Sequence, residues 1–265
     1  MPDLLDELLG LATDVAADAA TLLLDGLDRA RVEVSTKSSP TDMVTEMDRA
    51  SESLIVDALR QRRPDDGIVG EEGADVRGTS GVQWLIDPID GTTNYLYAFP
   101  GFAVSIAAQL DEHVVAGVVH DALHGDVFRA ARGRGATRNG APIHVSTQTE
   151  LSSALVGTGF SYEPARRARQ AKVLVEVLPR VRDIRRMGAA AVDLCSVACG
   201  RLDAFYERGL GPWDRAAGAL VAEEAGAVLG DLWGGPPSGK FVLAAARGVF
   251  EPLRTLLDAA GAGSA

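Results

Sequence analysis

Trp84-Leu85-Ile86-Asp87-Pro88-Ile89-Asp90-Gly91-Thr92-Thr93-Asn94 joins an apolar run to two acids, a proline and a Gly-Thr-Thr-Asn close. The apolar run reads as the end of a buried strand. Pro88 fixes its own φ and biases Asp87 toward an extended conformation, so no helix runs through this point. The expectation is a tight turn that holds Asp87 and Asp90 near one centre. A helix should follow, with Gly91 and Thr92 as its first residues, where free backbone N–H groups favour an anion. Two carboxylates beside an anion seat require a cation between them. Taken alone, the stretch is equally a turn, because Asp-Pro and Asp-Gly are common turn formers and Asp caps helices. Its company favours chemistry: Gly70-Glu71-Glu72 follows another apolar run, and Trp213-Asp214-Arg215-Ala216-Ala217-Gly218 lies far downstream.

A chain of 265 residues can bury a sizeable core, as one large domain or two packed lobes. With 46% hydrophobic and 24% charged residues the composition is that of a soluble globular protein. A formal charge of −11 argues against nucleic acid and against an anionic membrane as partners. It also disfavours an anionic substrate unless metal reverses the sign locally. The acidic start, Met1 to Glu7, lacks the basic residues of a signal peptide, and no apolar run reaches spanning length, so a cytoplasmic protein is expected. Cys195 and Cys199 stand four apart in an Ala-rich helical stretch without histidine and read as small core residues. His113, His120, His124 and His144 read as non-catalytic, and Ser146, Ser152 and Ser153 lack the context of a nucleophile.

Leu4, Leu8, Leu11, Val15, Ala19, Leu22 and Leu23 recur at helical spacing and predict a long helix from residue 3 to about residue 29. Lys37 to Asp42 is turn-rich. A second helix should start near Asp48, carry Leu54, Ile55, Ala58 and Leu59 inward, and stop at Arg62-Arg63-Pro64-Asp65-Asp66-Gly67. Ile68-Val69 should be a strand delivering Glu71, and residues 82–86 one delivering Asp87. Strands over 102–110, 114–119 and 126–131 and the Asn139-Gly140 hairpin signal complete an antiparallel sheet. Beyond about residue 150 strands and helices alternate: strands over 154–157, 181–185, 202–207, 228–231 and 241–245, and helices over 163–178, 188–198, 213–225 and 250–259. The division expected is an α+β lobe over residues 1–148 and an α/β lobe over residues 149–265.

Taken together, Val44-Thr45-Glu46-Met47-Asp48, Glu71-Glu72, Asp87 to Thr92 and Trp213 to Gly218, with Lys37 ahead of them, resemble in order the motifs of the inositol monophosphatase family, the magnesium-dependent, lithium-sensitive sugar phosphatases. The resemblance runs from about Lys37 to the last strand. It implies an α+β fold of the sugar-phosphatase type, a layered αβαβα sandwich with the site between the lobes, and a homodimer.

Residue by residue, the resemblance implies that Glu71, Asp87 and the Ile89 carbonyl hold one Mg²⁺, and that Asp87, Asp90 and Asp214 hold a second. A third, weaker ion would sit on water and Glu71. Oxygen-only ligation suits Mg²⁺, and two such ions can clamp both ends of an in-line displacement. Charge counting agrees: four carboxylates and a phosphate dianion leave a negative excess that two or three divalent cations cancel or nearly cancel. Unit charges at about 4 Å repel by roughly 4 kcal/mol at an effective dielectric of about 20, so metal must enter before phosphate. Glu71 and Thr92 are implied to orient and deprotonate the attacking water, with Asp90 in the catalytic set, and the Gly91 and Thr92 amides to grip phosphate. Glu207, Asp214 and the backbone of Gly188-Ala189-Ala190 are implied to line the pocket of a small phosphorylated polyol, although Ala189 stands where relatives often carry Thr or Ser. Glu72 and Asp48 read as acids that orient the ligands or as solvated ones. Lys37 reads as an outer support or plain surface. Arg185 and Arg186 read as a lure for anions or a salt-bridged strand end.

Overall fold

The computed structural model describes residues 3–27, 34–36 and 43–265, with residues 34–36 and 43–45 as backbone only. Lys37 and the turn expected up to residue 42 lie outside the described residues. Helix α1 (Leu4–Gly26) starts on Asp3, whose carboxylate accepts from the Asp6 amide at 3.0 Å. It buries Leu8, Leu11, Val15, Ala19 and Leu23 along one stripe. A short antiparallel pair, β1 (Val34–Thr36) and β2 (Met43–Thr45), leads into α2 (Glu46–Arg62), which buries Ile55 and Leu59 and half-buries Leu54 and Ala58.

The chain then builds a sheet from β3 (Gly67–Gly70), β4 (Asp75–Val76), β5 (Val82–Asp90), β6 (Ala103–Leu110), β7 (His113–Asp121), β8 (Asp126–Ala131), β9 (Ala136–Arg138) and β10 (Ala141–Pro142), with the short helix α3 (Thr92–Leu96) after β5. The spatial order is β10-β9-β8-β7-β6-β5-β3-β4. Asn139 and Gly140, both at positive φ, make the tight β9–β10 hairpin. The sheet is mixed rather than wholly antiparallel. Residues 71–81 carry the chain through β4 and back, so β5 enters beside β3 in the same direction.

The second half supplies β11 (Leu155–Thr158), α4 (Pro164–Val177), β12 (Asp183–Arg185), α5 (Ala190–Ala198), β13 (Ala204–Glu207), α6 (Pro212–Glu224), β14 (Val228–Gly230), β15 (Val242–Ala245) and α7 (Arg247–Ala259). Its strands order as β12-β11-β13-β15-β14, with β11 parallel to both neighbours and β15 antiparallel to both of its own. Helices α1 and α2 pack their apolar stripes on one face of the larger sheet. Helices α5 and α6 fill the space between the two sheets, and α4 and α7 cover the far face of the smaller one. The result is the five-layer αβαβα sandwich. Small residues let the middle layer sit close: a Cβ on Gly117 of β7 would lie 2.9 Å from the Ala217 Cα of α6.

One expectation is corrected at the centre of the fold. The chain does not turn at Pro88; β5 runs on to Asp90. The pairing of β5 with β6 slips between Asp87 and Asp90, and this bulge absorbs the proline that cannot donate to a ladder. Ser51 of α2 donates to the freed Pro88 carbonyl at 3.2 Å.

Candidate active site

Three acids remote in sequence meet because of how β5 is paired. In the parallel ladder Gly70 lies opposite Ile86, so Glu71 and Asp87 come next to each other where that pairing ends, with the Glu71 amide bonded to the Ile86 carbonyl at 3.2 Å. In the antiparallel ladder Asp87 faces Ser105 of β6. The Ser105 hydroxyl donates to the Trp213 carbonyl at 3.2 Å, pinning the start of α6 and with it Asp214. Carboxylate oxygens of Glu71, Asp87 and Asp214 thereby lie within 4.8 Å of one another. Asp214 is held further by the Gly211 amide at 2.7 Å, and Asp87 by the Ile89 amide at 3.0 Å.

Asp90 points to the start of α5. Its two oxygens accept from the Ala190 and Ala191 amides at 3.1 and 2.6 Å, which satisfies two of the orphan donors of that helix. It borders the three-acid group rather than sharing its shortest distances. Gly91 stands at φ 91, and a Cβ there would come within 2.7 Å of the Gly101 carbonyl, so only glycine serves. Thr92 opens the five-residue α3 and donates its hydroxyl to the Ile89 carbonyl at 3.1 Å. Asn94 ties this end to the other sheet by donating to the Gly101 and Met187 carbonyls at 2.6 and 2.7 Å.

The acids line a cavity of about 520 Å³ with Ile89, Gly91, Thr92, Gly188, Ala190 and Glu207. Ala189 lies beneath its floor, buried and facing Gly91. Asp48 is buried, and its charge acts on Asp87. Glu72 is fixed through its amide, which donates to Glu52 at 2.9 Å. Arg185 pairs with Asp183 at 2.7 Å on the exposed end of β12, whereas Arg186 turns into the cavity. Histidine and cysteine do not enter the lining. Ser51, Ser105, Asn94 and Glu52 escaped the sequence reading, although a hydroxyl at position 105 inside the apolar run of β6 was a visible anomaly.

Electrostatics mark the site as unbalanced. Burial, and then the charges of Glu71, Asp90, Asp214 and Asp48, push the Asp87 carboxyl well above the usual carboxylate range. Burial and Asp214 do the same to Asp90 against the two α5 amides. Burial raises Glu207 to about 7, opposed by Arg186 and Arg166 and reinforced by Asp214. Buried carboxylates packed this closely, all oxygen donors, are a fitting seat for a hard divalent cation.

Comparison with known proteins agrees with this geometry. The sequence profile of the inositol monophosphatase family matches residues 4–262. The chain is 46% identical to "Inositol-1-monophosphatase SuhB" of Mycobacterium tuberculosis (strain ATCC 25618 / H37Rv), over 94% of this chain and 92% of the relative. It is 39% identical to "Nus factor SuhB" of Escherichia coli (strain K12), over 86% of each. The solved structure of extragenic suppressor protein suhB from Bartonella henselae superposes with a TM-score of 0.90 at 34% identity, over 95% of this chain and 98% of that one. With the fold, the acidic centre and the full-length match in accord, the chain belongs to the inositol monophosphatase family.

Proposed function

We propose that this protein is a Mg²⁺-dependent phosphomonoesterase that hydrolyses myo-inositol 1-phosphate, or a close polyol phosphate, to the free polyol and phosphate. The observation that carries this is the group of carboxylates Glu71, Asp87 and Asp214 within 4.8 Å at the wall of the cavity. Glu71, Asp87 and the Ile89 carbonyl would hold one ion; Asp87, Asp214 and the remaining lone pairs of Asp90 would hold a second, with a third more loosely on Glu71. Bound there, Mg²⁺ supplies positive charge to the phosphate and the departing alkoxide and makes water acidic enough to react near neutral pH. The chain's own groups do the rest. Glu71 and the Thr92 hydroxyl, whose own hydrogen goes to the Ile89 carbonyl, would align the attacking water, and the Glu71 carboxylate would take its proton. The Gly91 and Thr92 amides, at the start of α3, would grip phosphate oxygens. The water oxygen bonds to phosphorus in line with the ester oxygen, which leaves with the bonding pair and is protonated from solvent. Glu207, Asp214 and the 188–190 backbone receive the polyol hydroxyls, with the cavity lying between the lobes at 1–148 and 149–265.

Lithium inhibition, a homodimer and a cytoplasmic location belong to the same reading. Among the described residues no helix is long and apolar enough to cross a membrane. Histidinol phosphate, fructose 1,6-bisphosphate and adenosine 3′,5′-bisphosphate are the competing substrates. A regulatory role on the same fold is favoured by one observation, the Nus factor name of the Escherichia coli relative. Phosphate release from a panel of these esters tests the proposal. Turnover should require Mg²⁺, vanish with chelator, and fall by at least about a thousandfold in Asp87→Asn, which removes a charge from the centre of the site. Turnover that persists in chelator would sink it. An Asp90→Asn variant that lost hydrolysis yet kept a cellular phenotype would establish the regulatory role.

A further inference from the structure

Glu71 stands in the turn between β3 and β4, a place that by itself does not hold a side chain still. β4 is two residues long and forms the outer edge of the larger sheet, so the turn has a firm strand on one side only. The Gly70 amide closes the turn by donating to the Ala74 carbonyl at 2.8 Å, and Gly73 stands at φ 114. What braces it lies on α2. Glu52, buried at 8% exposure, accepts from the Glu72 amide at 2.9 Å with one carboxyl oxygen and from the Ala74 amide at 3.0 Å with the other. Gly70 leaves room for this contact: a Cβ there would lie 2.3 Å from the nearer Glu52 oxygen. A carboxylate offers two acceptors and no donor, which is what two converging N–H groups require.

Two peptide units flank the Glu71 Cα. The one before it is fixed to β5, because the Glu71 amide donates to the Ile86 carbonyl at 3.2 Å; the one after it is fixed to α2 through the Glu72 amide. The orientations of these two planes set both backbone dihedrals of Glu71, and with them the direction of its side chain toward Asp87 and Asp214. Asp48, Ser51 and Glu52 fall at i, i+3 and i+4 on one face of α2, and all three are buried. From that face Ser51 holds the Pro88 carbonyl at 3.2 Å, within the bulge between Asp87 and Asp90. Adjacent residues of one helix thus brace both acidic segments. We infer that Glu52 is a positioning residue of the acidic centre: it fixes the peptide beyond Glu71 and so aims the Glu71 carboxylate into the group with Asp87 and Asp214. The inference rests on the reading of that group as a Mg²⁺ seat and says how one of its ligands is held.

Glu52→Gln keeps the size of the side chain but turns a donor toward one of the two amides. In chelator, the Glu72 and Ala74 amides should then exchange hydrogen about tenfold faster, and calorimetric titration should show Mg²⁺ bound about tenfold more weakly. Glu52→Asp, with both acceptors on a shorter stem, should recover part of the affinity. Gly70→Ala, whose methyl would enter the space of the Glu52 carboxyl, should reproduce the loss, and it carries the same comparison should Glu52→Gln fail to fold. Ile55→Val removes one methyl from the apolar face of the same helix; it should lower the urea midpoint and leave Mg²⁺ affinity unchanged. Mg²⁺ affinity that Glu52→Gln leaves intact, or that Ile55→Val lowers equally, overturns the inference while the metal seat stands. Weaker Mg²⁺ binding without faster exchange in the turn overturns it as well, since Glu52 would then act by its charge alone. A wild-type protein that binds no Mg²⁺ overturns the metal reading and this inference with it.

Discussion

Glu207 sits in the sharpest conflict of any single residue. It is enclosed beside Gly159, where burial favours the neutral acid, while Arg186 and Arg166 favour the anion. Burial wins and its carboxyl is raised to about 7 from an ordinary 4.5. The folded state therefore holds this proton more tightly than the unfolded chain does. Its contribution to stability is present at low pH and declines as pH rises from 4.5 through 7. Glu207→Gln keeps the shape and removes the titration. In chelator, the wild-type protein should lose up to about 3 kcal/mol relative to Glu207→Gln between pH 4.5 and 8, read from urea midpoints. Parallel pH profiles would show that Glu207 is solvated instead. The Arg185–Arg186 pair shows the limit of sequence at this scale. Arg185 is the salt-bridged strand end, whereas Arg186, the next residue, lines the cavity, because successive residues at the end of β12 face opposite ways. Nothing in the two letters says which arginine faces inward; that depends on the register of β12 against β11.

Among elements, β5 sets the site through its two neighbours. Parallel pairing with β3 delivers Glu71 beside Asp87, and antiparallel pairing with β6 places Ser105 where it can fasten α6. The hydroxyl of Ser105 is thus a link between a strand and the helix that carries Asp214. Ser105→Ala should cost about 1 kcal/mol of stability and loosen Asp214. Calorimetric titration should show Mg²⁺ affinity reduced several-fold with the fold intact by circular dichroism. Unchanged affinity would mean that the Gly211 amide suffices to hold Asp214. The helices here were legible, since α1 and α2 show their stripes in sequence. So were the acids Glu71, Asp87 and Asp214, which stand in the Glu-Glu, Asp-Pro-Ile-Asp-Gly-Thr and Trp-Asp motifs. The run of β5 past Pro88 was not legible, because a proline signals a turn locally and a bulge is settled by the partner strand. The parallel β3–β5 pair was hidden for the same reason: pairing partners are a property of the whole sheet, not of either segment.

At the scale of the molecule, five layers bring strand ends and helix starts to one cavity, where Glu71, Asp87, Asp90 and Asp214 gather on one wall. The acidic wall is a store of repulsion. Burial and neighbouring acids raise Asp87 and Asp90 well above the usual carboxylate range, so the folded, metal-free protein retains protons there that the unfolded chain has given up. Those acids favour the folded state while protonated, and that advantage is lost as pH rises through their folded pKa values. A divalent cation reverses the sign of the local field and is favoured by the charged carboxylates, so its binding must expel the retained protons. Mg²⁺ at about a hundredfold excess over its dissociation constant should stabilise the fold by about 2.7 kcal/mol, a rise in Tm on the order of 5–10 °C. The rise should be larger at pH 8 than at pH 6 at the same Mg²⁺ concentration, because at pH 6 protons compete for the same oxygens. Scanning calorimetry at the two pH values, with proton release followed in buffers of different ionisation enthalpy, measures both quantities. Equal shifts at the two pH values without proton release would mean that Mg²⁺ binds away from Asp87 and Asp90.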